Sequence, residues 1–202
     1  IVDACGILEA RSSIDKRVAD LNGNTSDFRW SEDVAFIQGM NNDMATTLFY
    51  GDTASNPEKF TGLAPRYNTM VTATARSGAN VLNGGGSGST NTSIWLVNWG
   101  PQTAYGIYPK GSQAGLQHKD LGEVTLWDNQ TPPGKYQGYE SVYSWDCGLT
   151  VRDWRYVGRI CNIDVTTLTK NAASGSDLVD LIVQLFELLP PVQSGTRVLY
   201  CN

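Results

Sequence analysis

The chain has 202 residues, with 20 acidic side chains against 15 basic ones and a formal net charge of -5. No run of basic residues offers a phosphate-neutralising patch, which argues against sequence-specific nucleic-acid binding, and no stretch of 18 apolar residues could span a membrane. Charged residues make up 17% of the chain, below the roughly 25% usual for soluble domains, beside six tryptophans and nine tyrosines; that balance suits extensive surface hidden in contacts.

The opening "IVDACGILEARSSID" reads as a strand. "SSIDKRVADLNG" predicts a short helix with Ile14, Val18 and Leu21 on one face, Ser12 and Asp15 as a capping pair, and Gly23 as its stop. The segment 27–50 predicts the longest helix. Trp30, Val34, Ile37, Met44 and Leu48 follow helical spacing, with Phe36 and Met40 widening the stripe, and Asp27, Glu32 and Asp33 suit its positive N-terminal end. Gly39 within it predicts a close neighbour or a kink. A Gly/Ser/Asn tract at 78–93 is the most mobile stretch by composition. From Ser93 the chain turns β-rich through "SIWLVNWG", "TAYGIYPK" and "GEVTLWDN". A last helix in "SGSDLVDLIVQLFELLPP" is capped by Ser174 with Asp177, presents Leu178, Leu181, Leu185 and Leu189, and stops at Pro190.

"WDCGLTVRDWRYVGRICNIDV", from Trp145 to Val165, is 21 residues of strand-forming sequence with charges in its middle. As one straight strand it would span roughly 70 Å, whereas a compact chain of this length has a diameter of roughly 40 Å. The apolar phase switches near Arg152, which allows either two strands with a kink eased by Gly148 and Gly158, or one long strand over 143–165 that meets a neighbouring subunit. In the second case Arg152, Arg155, Arg159 and Trp154 are candidate contacts with that neighbour, since no phosphate cradle accompanies the arginines.

Sites for chemistry are sparse. The single histidine, His118, sits in the polar sequence "GSQAGLQHKDLG" and reads as an exposed loop residue. "GGGSGS" lacks the Lys-Ser/Thr ending of a phosphate loop, and no zinc or calcium spacing exists, so no cofactor and no metal is expected. Cys5, Cys147, Cys161 and Cys201 form no CxxC pair and read as reduced thiols.

Four phrases carry a family likeness: "ACGILEARSSIDKRVADLNGN", "FYGDTASNPEKFTGLAPRY", "SIWLVNWGPQTAYGIYPKG" and "WDCGLTVRDWRYVGRICNIDV". They resemble the central part of major capsid proteins of tailed bacteriophages. The resemblance implies an α+β fold of the Hong Kong 97 type, with a peripheral domain holding a long spine helix and long β strands, and an axial domain. It would assign about 1–60 and 140–168 to the peripheral part, with the spine helix at 27–50, and about 61–139 and 169–202 to the axial part. It implies truncation at both ends, with an arm and an extended loop upstream of Ile1 and a further segment after Asn202. It also implies a structural role without catalysis: self-assembly as hexamers and pentamers of an icosahedral shell around double-stranded DNA, with scaffold, portal or decoration proteins as further partners. The location implied is the virion, and the host cytoplasm during assembly. The competing readings are a β-rich carbohydrate-binding module using exposed tryptophans, and a hydrolase built on His118.

Overall fold

The computed structural model of the chain describes residues 3–21, 23–168, 177–191 and 195–201. In chain order it has strand β1 (Cys5–Asp15), helices α1 (Lys16–Asp20), α2 (Thr25–Tyr50) and α3 (Leu63–Arg66), and strands β2 (Val81–Asn83), β3 (Asn91–Trp99), β4 (Ala104–Ile107), β5 (Leu116–Trp127), β6 (Lys135–Val151) and β7 (Val157–Asp164). Helix α4 (Leu178–Leu188) and strand β8 (Thr196–Tyr200) follow, and short 3-10 turns occupy Arg76–Asn80, Trp154–Tyr156 and Val165–Thr167. This is an α+β chain. It divides into two compact units: 1–61 with 107–148, and 62–106 with 149–202. None of the described helices is long and apolar enough to cross a membrane.

In the first unit β6 is the middle strand. β1 pairs with it antiparallel from Cys5↔Gly148 to Asp15↔Gly138, and β5 pairs on its other edge from Leu116↔Trp145 to Trp127↔Lys135. Helix α2 packs on β1. Its inward positions are Arg29, Asp33, Ile37, Met40, Met44 and Thr47, advancing by three or four residues as one helical face must. Ile37, Met40, Met44 and Leu48 turn inward as their spacing predicts, but Trp30 is 61% exposed and Val34 and Phe36 are also exposed. The reason is polar. Arg29 and Asp33 bond to strand side chains, and holding them inward rotates the N-terminal half of the apolar stripe toward solvent. Gly39 has no close neighbour; a Cβ there would meet nothing within 4 Å.

The first helix is shorter than its sequence suggests. β1 runs through Ser12 and Ile14 to Asp15, whose carboxylate accepts from the Arg17 amide and starts α1. Ser12 is therefore a buried strand residue rather than a cap, and Val18 and Leu21 are exposed while Ala19 is buried.

In the second unit β3 lies between β7 and β8, antiparallel to both, and β2 adds parallel to β7. Ile94, Leu96, Ile160 and Ile163 form an apolar face that Leu185 and Leu189 cover, with Leu178, Leu181 and Ile182 packed at the margin. The cap of α4 is Asp177, whose carboxylate accepts from the Asp180 amide; Ser174 lies outside the described residues. Gly158 admits this packing, because a Cβ on it would stand 2.6 Å from a Leu185 methyl.

The stretch 143–165 is not one strand. β6 ends at Val151, a 3-10 turn intervenes, and β7 begins at Val157. The phase switch at Arg152 marks this break. Gly148 and Gly158 both sit within strands, and the bend comes instead from Asp153, whose carboxylate accepts from the Arg155 amide at 3.0 Å and closes the turn. Local side-chain to backbone bonding of this kind competes directly with a strand ladder.

The Gly/Ser/Asn tract is also more ordered than its composition implies. It contains β2, and beyond it the amides of Gly84 and Gly86 donate to the carbonyls of Cys161 and Asn162, each at 2.7 Å. A Cβ on Gly86 would lie 2.7 Å from the Asn162 oxygen, which is backbone and cannot step aside, whereas a Cβ on Gly88 meets nothing closer than 3.8 Å. Gly86→Ala should therefore lower stability by about 1–3 kcal/mol. Gly88→Ala should be neutral or stabilise by up to about 1 kcal/mol through the unfolded chain. Urea unfolding of the two variants checks this; equal midpoints would show that the tract is not laid against β7.

The four cysteines are free thiols, with Cys161 buried, Cys201 exposed and Cys5 and Cys147 half-buried. Burial raises the pKa of the Cys147 thiol, and nearby Cys5 adds to this. Cys161 additionally points its sulfur at the Leu82 carbonyl, 3.4 Å away. Maleimide labelling of the native chain should modify Cys201 first and Cys161 only on unfolding. Fast labelling of Cys161 would contradict the β2–β7 packing.

Candidate assembly surface

The turn that separates β6 from β7 belongs to the second unit and carries three of the four residues singled out by sequence. The Arg152 amide donates to the Thr103 carbonyl at 2.8 Å, which fixes where the strand ends. From beneath, two buried side chains hold the turn. The Tyr67 hydroxyl donates to the Trp154 carbonyl at 2.9 Å, and the Asn80 amide nitrogen reaches the carbonyls of Trp154, Arg155 and Val157 at 2.9–3.2 Å. Burial pushes the Tyr67 phenol well above its usual pKa, so it remains a donor across the physiological range.

On the outer side Arg152 is exposed and makes no ion pair within 4 Å among the described residues. Arg155 is exposed and forks onto its own Asp153, at 2.7 Å for the shortest contact. That hydrogen bond lowers the Asp153 carboxyl below the ordinary range. Trp154 is half-buried. Arg152, Trp154 and Arg155 thus share one turn, pinned by Asp153, Tyr67 and Asn80.

Arg159 lies elsewhere, in mid-β7 and directly opposite Trp95 on β3. Its guanidinium sits 4.9 Å from the Trp95 ring centroid, donates to the Ser93 hydroxyl at 3.0 and 3.2 Å, and donates to the Tyr67 carbonyl at 3.0 Å. It is engaged within its own unit. Sequence reading missed Tyr67 and Asn80. Asn80 stands at the head of the Gly-rich tract, where an asparagine reads as one more turn former.

The first unit holds a second polar cluster. Arg29 from α2 grips Asp120 of β5 at 2.6 and 3.1 Å and reaches the Ser141 hydroxyl at 3.1 Å. The Arg29 bond holds the Asp120 carboxyl below its ordinary pKa. Nearby, the Tyr143 hydroxyl donates to Asp33 at 2.8 Å, and His118 stacks on the Tyr143 ring with centroids 4.8 Å apart. His118 is exposed and lies in β5, not in a loop. Among the described residues no hydrogen bond joins it to a hydroxyl, so the cluster lacks the base-to-nucleophile contact of a triad. Of the tryptophans, Trp95 is buried, Trp30 projects from α2, and exposed Trp127 is covered by the Lys135 ammonium 4.5 Å from its ring centroid. No group of three or more potential metal-ligating acids, histidines or cysteines occurs among the described residues.

The family model described as major capsid protein GP7 matches residues 1–202. A protein chain in the cryo-electron-microscopy structure of bacteriophage Epsilon15 is 39% identical, with a TM-score of 0.70; the match covers 100% of this chain and 60% of that one. A chain of the holo-SrpI encapsulin complex from Synechococcus elongatus is 13% identical with a TM-score of 0.47, over 83% of this chain and 77% of that one. A search of curated proteins finds no match.

Proposed function

The chain belongs to the major capsid protein GP7 family, and from that premise we propose that it is the structural shell subunit of an icosahedral phage head that encloses double-stranded DNA. The observation that carries this is the family match over the whole chain, joined to 39% identity with a chain of the Epsilon15 structure. The proposed fold detail is the Hong Kong 97 type. In that detail α2 is the spine helix of the peripheral part, about 1–60 with 140–168, and α4 lies in the axial part, about 61–139 with 169–202. Copies of the chain are the main partner, as hexamers and pentamers, with scaffold, portal and decoration proteins beside them. The proposed place of assembly is the host cytoplasm. The role is structural and requires no catalytic group.

Arg152, Trp154 and Arg155 are proposed to contact a neighbouring copy, while Arg159 holds the strands that carry the turn. An exposed arginine without an acid of its own can accept a carboxylate from outside at little desolvation cost. The full-length polypeptide carrying this chain is expected to give closed, uniform particles by sedimentation and negative-stain microscopy. A folded product that stays as single subunits would overturn the shell reading.

A further inference from the structure

Helix α4 is apolar on two faces. One face covers the core of its unit through Leu185 and Leu189. On the other, Val179 is 74% exposed and Val183 54%, and Phe186 is also exposed, at the i, i+4 and i+7 spacing of a docking stripe. The Phe186 ring is held in place by the Arg197 guanidinium, which stands 5.6 Å from its centroid and donates to the Phe186 and Pro190 carbonyls.

Charge points to the occupant. Exposed Asp180, Gln184 and Glu187 rim the stripe. Asp180 accepts from Gln184, but no described cation reaches Glu187, although it sits in the last turn of α4, where the helix dipole disfavours an acid. In the same unit Arg76 is exposed and makes no ion pair within 4 Å among the described residues. It follows exposed Met70 and Val71 in a tight turn, folded over Gly78, whose Cβ position lies 3.1–3.2 Å from the Thr69, Met70 and Val71 backbone. One patch is apolar with an acidic rim, and the other is apolar beside an arginine.

We propose that α4 docks on a second copy of this chain. Val179, Val183 and Phe186 cover the neighbour's Met70–Val71 turn, and Glu187 pairs with the neighbour's Arg76. The two patches differ, so the contact is head-to-tail and generates a ring where the rotation closes. The proposal rests on the shell-subunit reading and deepens it.

The test uses the full-length polypeptide, with particles measured by sedimentation and microscopy and the subunit fold by circular dichroism and thermal melting. Val183→Asp should keep the melting temperature and lower particle yield at least about tenfold. Glu187→Arg and Arg76→Glu should each lower the yield by a similar factor, and the double exchange should restore it. Particles formed normally by Val183→Asp, or a double exchange that fails to rescue two folded single variants, would overturn the proposal. A wild-type protein that makes no particles would instead overturn the shell reading itself, so the two failures are distinct.

Discussion

Tyr143→Phe is expected to destabilise the chain by about 3 kcal/mol, and adding Asp33→Leu is expected to recover most of that loss. Asp33 is 4% exposed on the inward face of α2, and the Tyr143 hydroxyl donates to its Oδ2 at 2.8 Å. Its other oxygen, Oδ1, has no hydrogen-bond partner among the described residues. Removing the tyrosine hydroxyl leaves a buried carboxylate with neither oxygen bonded, which costs about 1–3 kcal/mol for a neutral group and more for a charge. Removing both partners removes the desolvation penalty as well, so the double variant should approach the parent. The same pair predicts an alkaline weakness. Burial first, then the bond to Asp33 and its charge, push the Tyr143 hydroxyl from 10.0 up to about 12. The folded chain favours the neutral phenol. Its contribution is complete below the ordinary tyrosine pKa and is lost as pH rises through about 12, because the unfolded chain ionises first. Urea midpoints across pH 9 to 12 should therefore fall, and fall less steeply in Tyr143→Phe. A single-variant loss under 1 kcal/mol would mean that water reaches Asp33.

The long helix was legible in the sequence because its bounds are set locally, by acidic residues at the start and Gly51 at the end. Its inward face was less so. Trp30 and Val34 carry the strongest apolar signal, yet the face is chosen by Arg29 and Asp33, whose partners Asp120, Ser141 and Tyr143 are about 90 to 110 residues away in sequence. No periodicity encodes a bond at that separation. The break after Val151 shows the opposite case. The phase switch at Arg152 is visible, and Asp153 two residues before Arg155 is a turn signal in its own right, but the β-rich composition on both sides leaves one long strand open beside two. By composition the glycines of the tract signal freedom, although Gly84 and Gly86 lie where the β7 backbone passes too close for a side chain. Composition alone cannot separate a glycine that gives mobility from one that admits a neighbour.

Arg159→Glu is expected to cost more than about 3 kcal/mol, whereas Arg152→Glu should stay within about 0.5 kcal/mol of the parent. Both arginines lie in the stretch that first suggested a shared strand, so the pair separates a residue that builds the unit from one free to meet a neighbour. The Arg159 guanidinium fits a fork formed by the Ser93 hydroxyl and the Tyr67 carbonyl, with the Trp95 ring beneath it. A carboxylate there would face a carbonyl oxygen and the negative face of an indole, with its solvation reduced and no cation supplied. Arg159→Lys should fall between the two, because a lysine keeps the charge but reproduces neither the planar fork nor the stacking. Damage should also spread to the turn, since Tyr67 both accepts from Arg159 and donates to the Trp154 carbonyl. Arg152 has none of these ties beyond its backbone amide. Thermal and urea unfolding of the isolated chain measure the fold, and sedimentation of the full-length polypeptide measures assembly. The expected pattern is an Arg159→Glu chain that fails to fold and an Arg152→Glu chain that folds normally and assembles poorly. A normally melting Arg159→Glu protein would show that the guanidinium is dispensable to the β3–β7 pair, and would return Arg159 to the outward-facing role that the sequence first suggested.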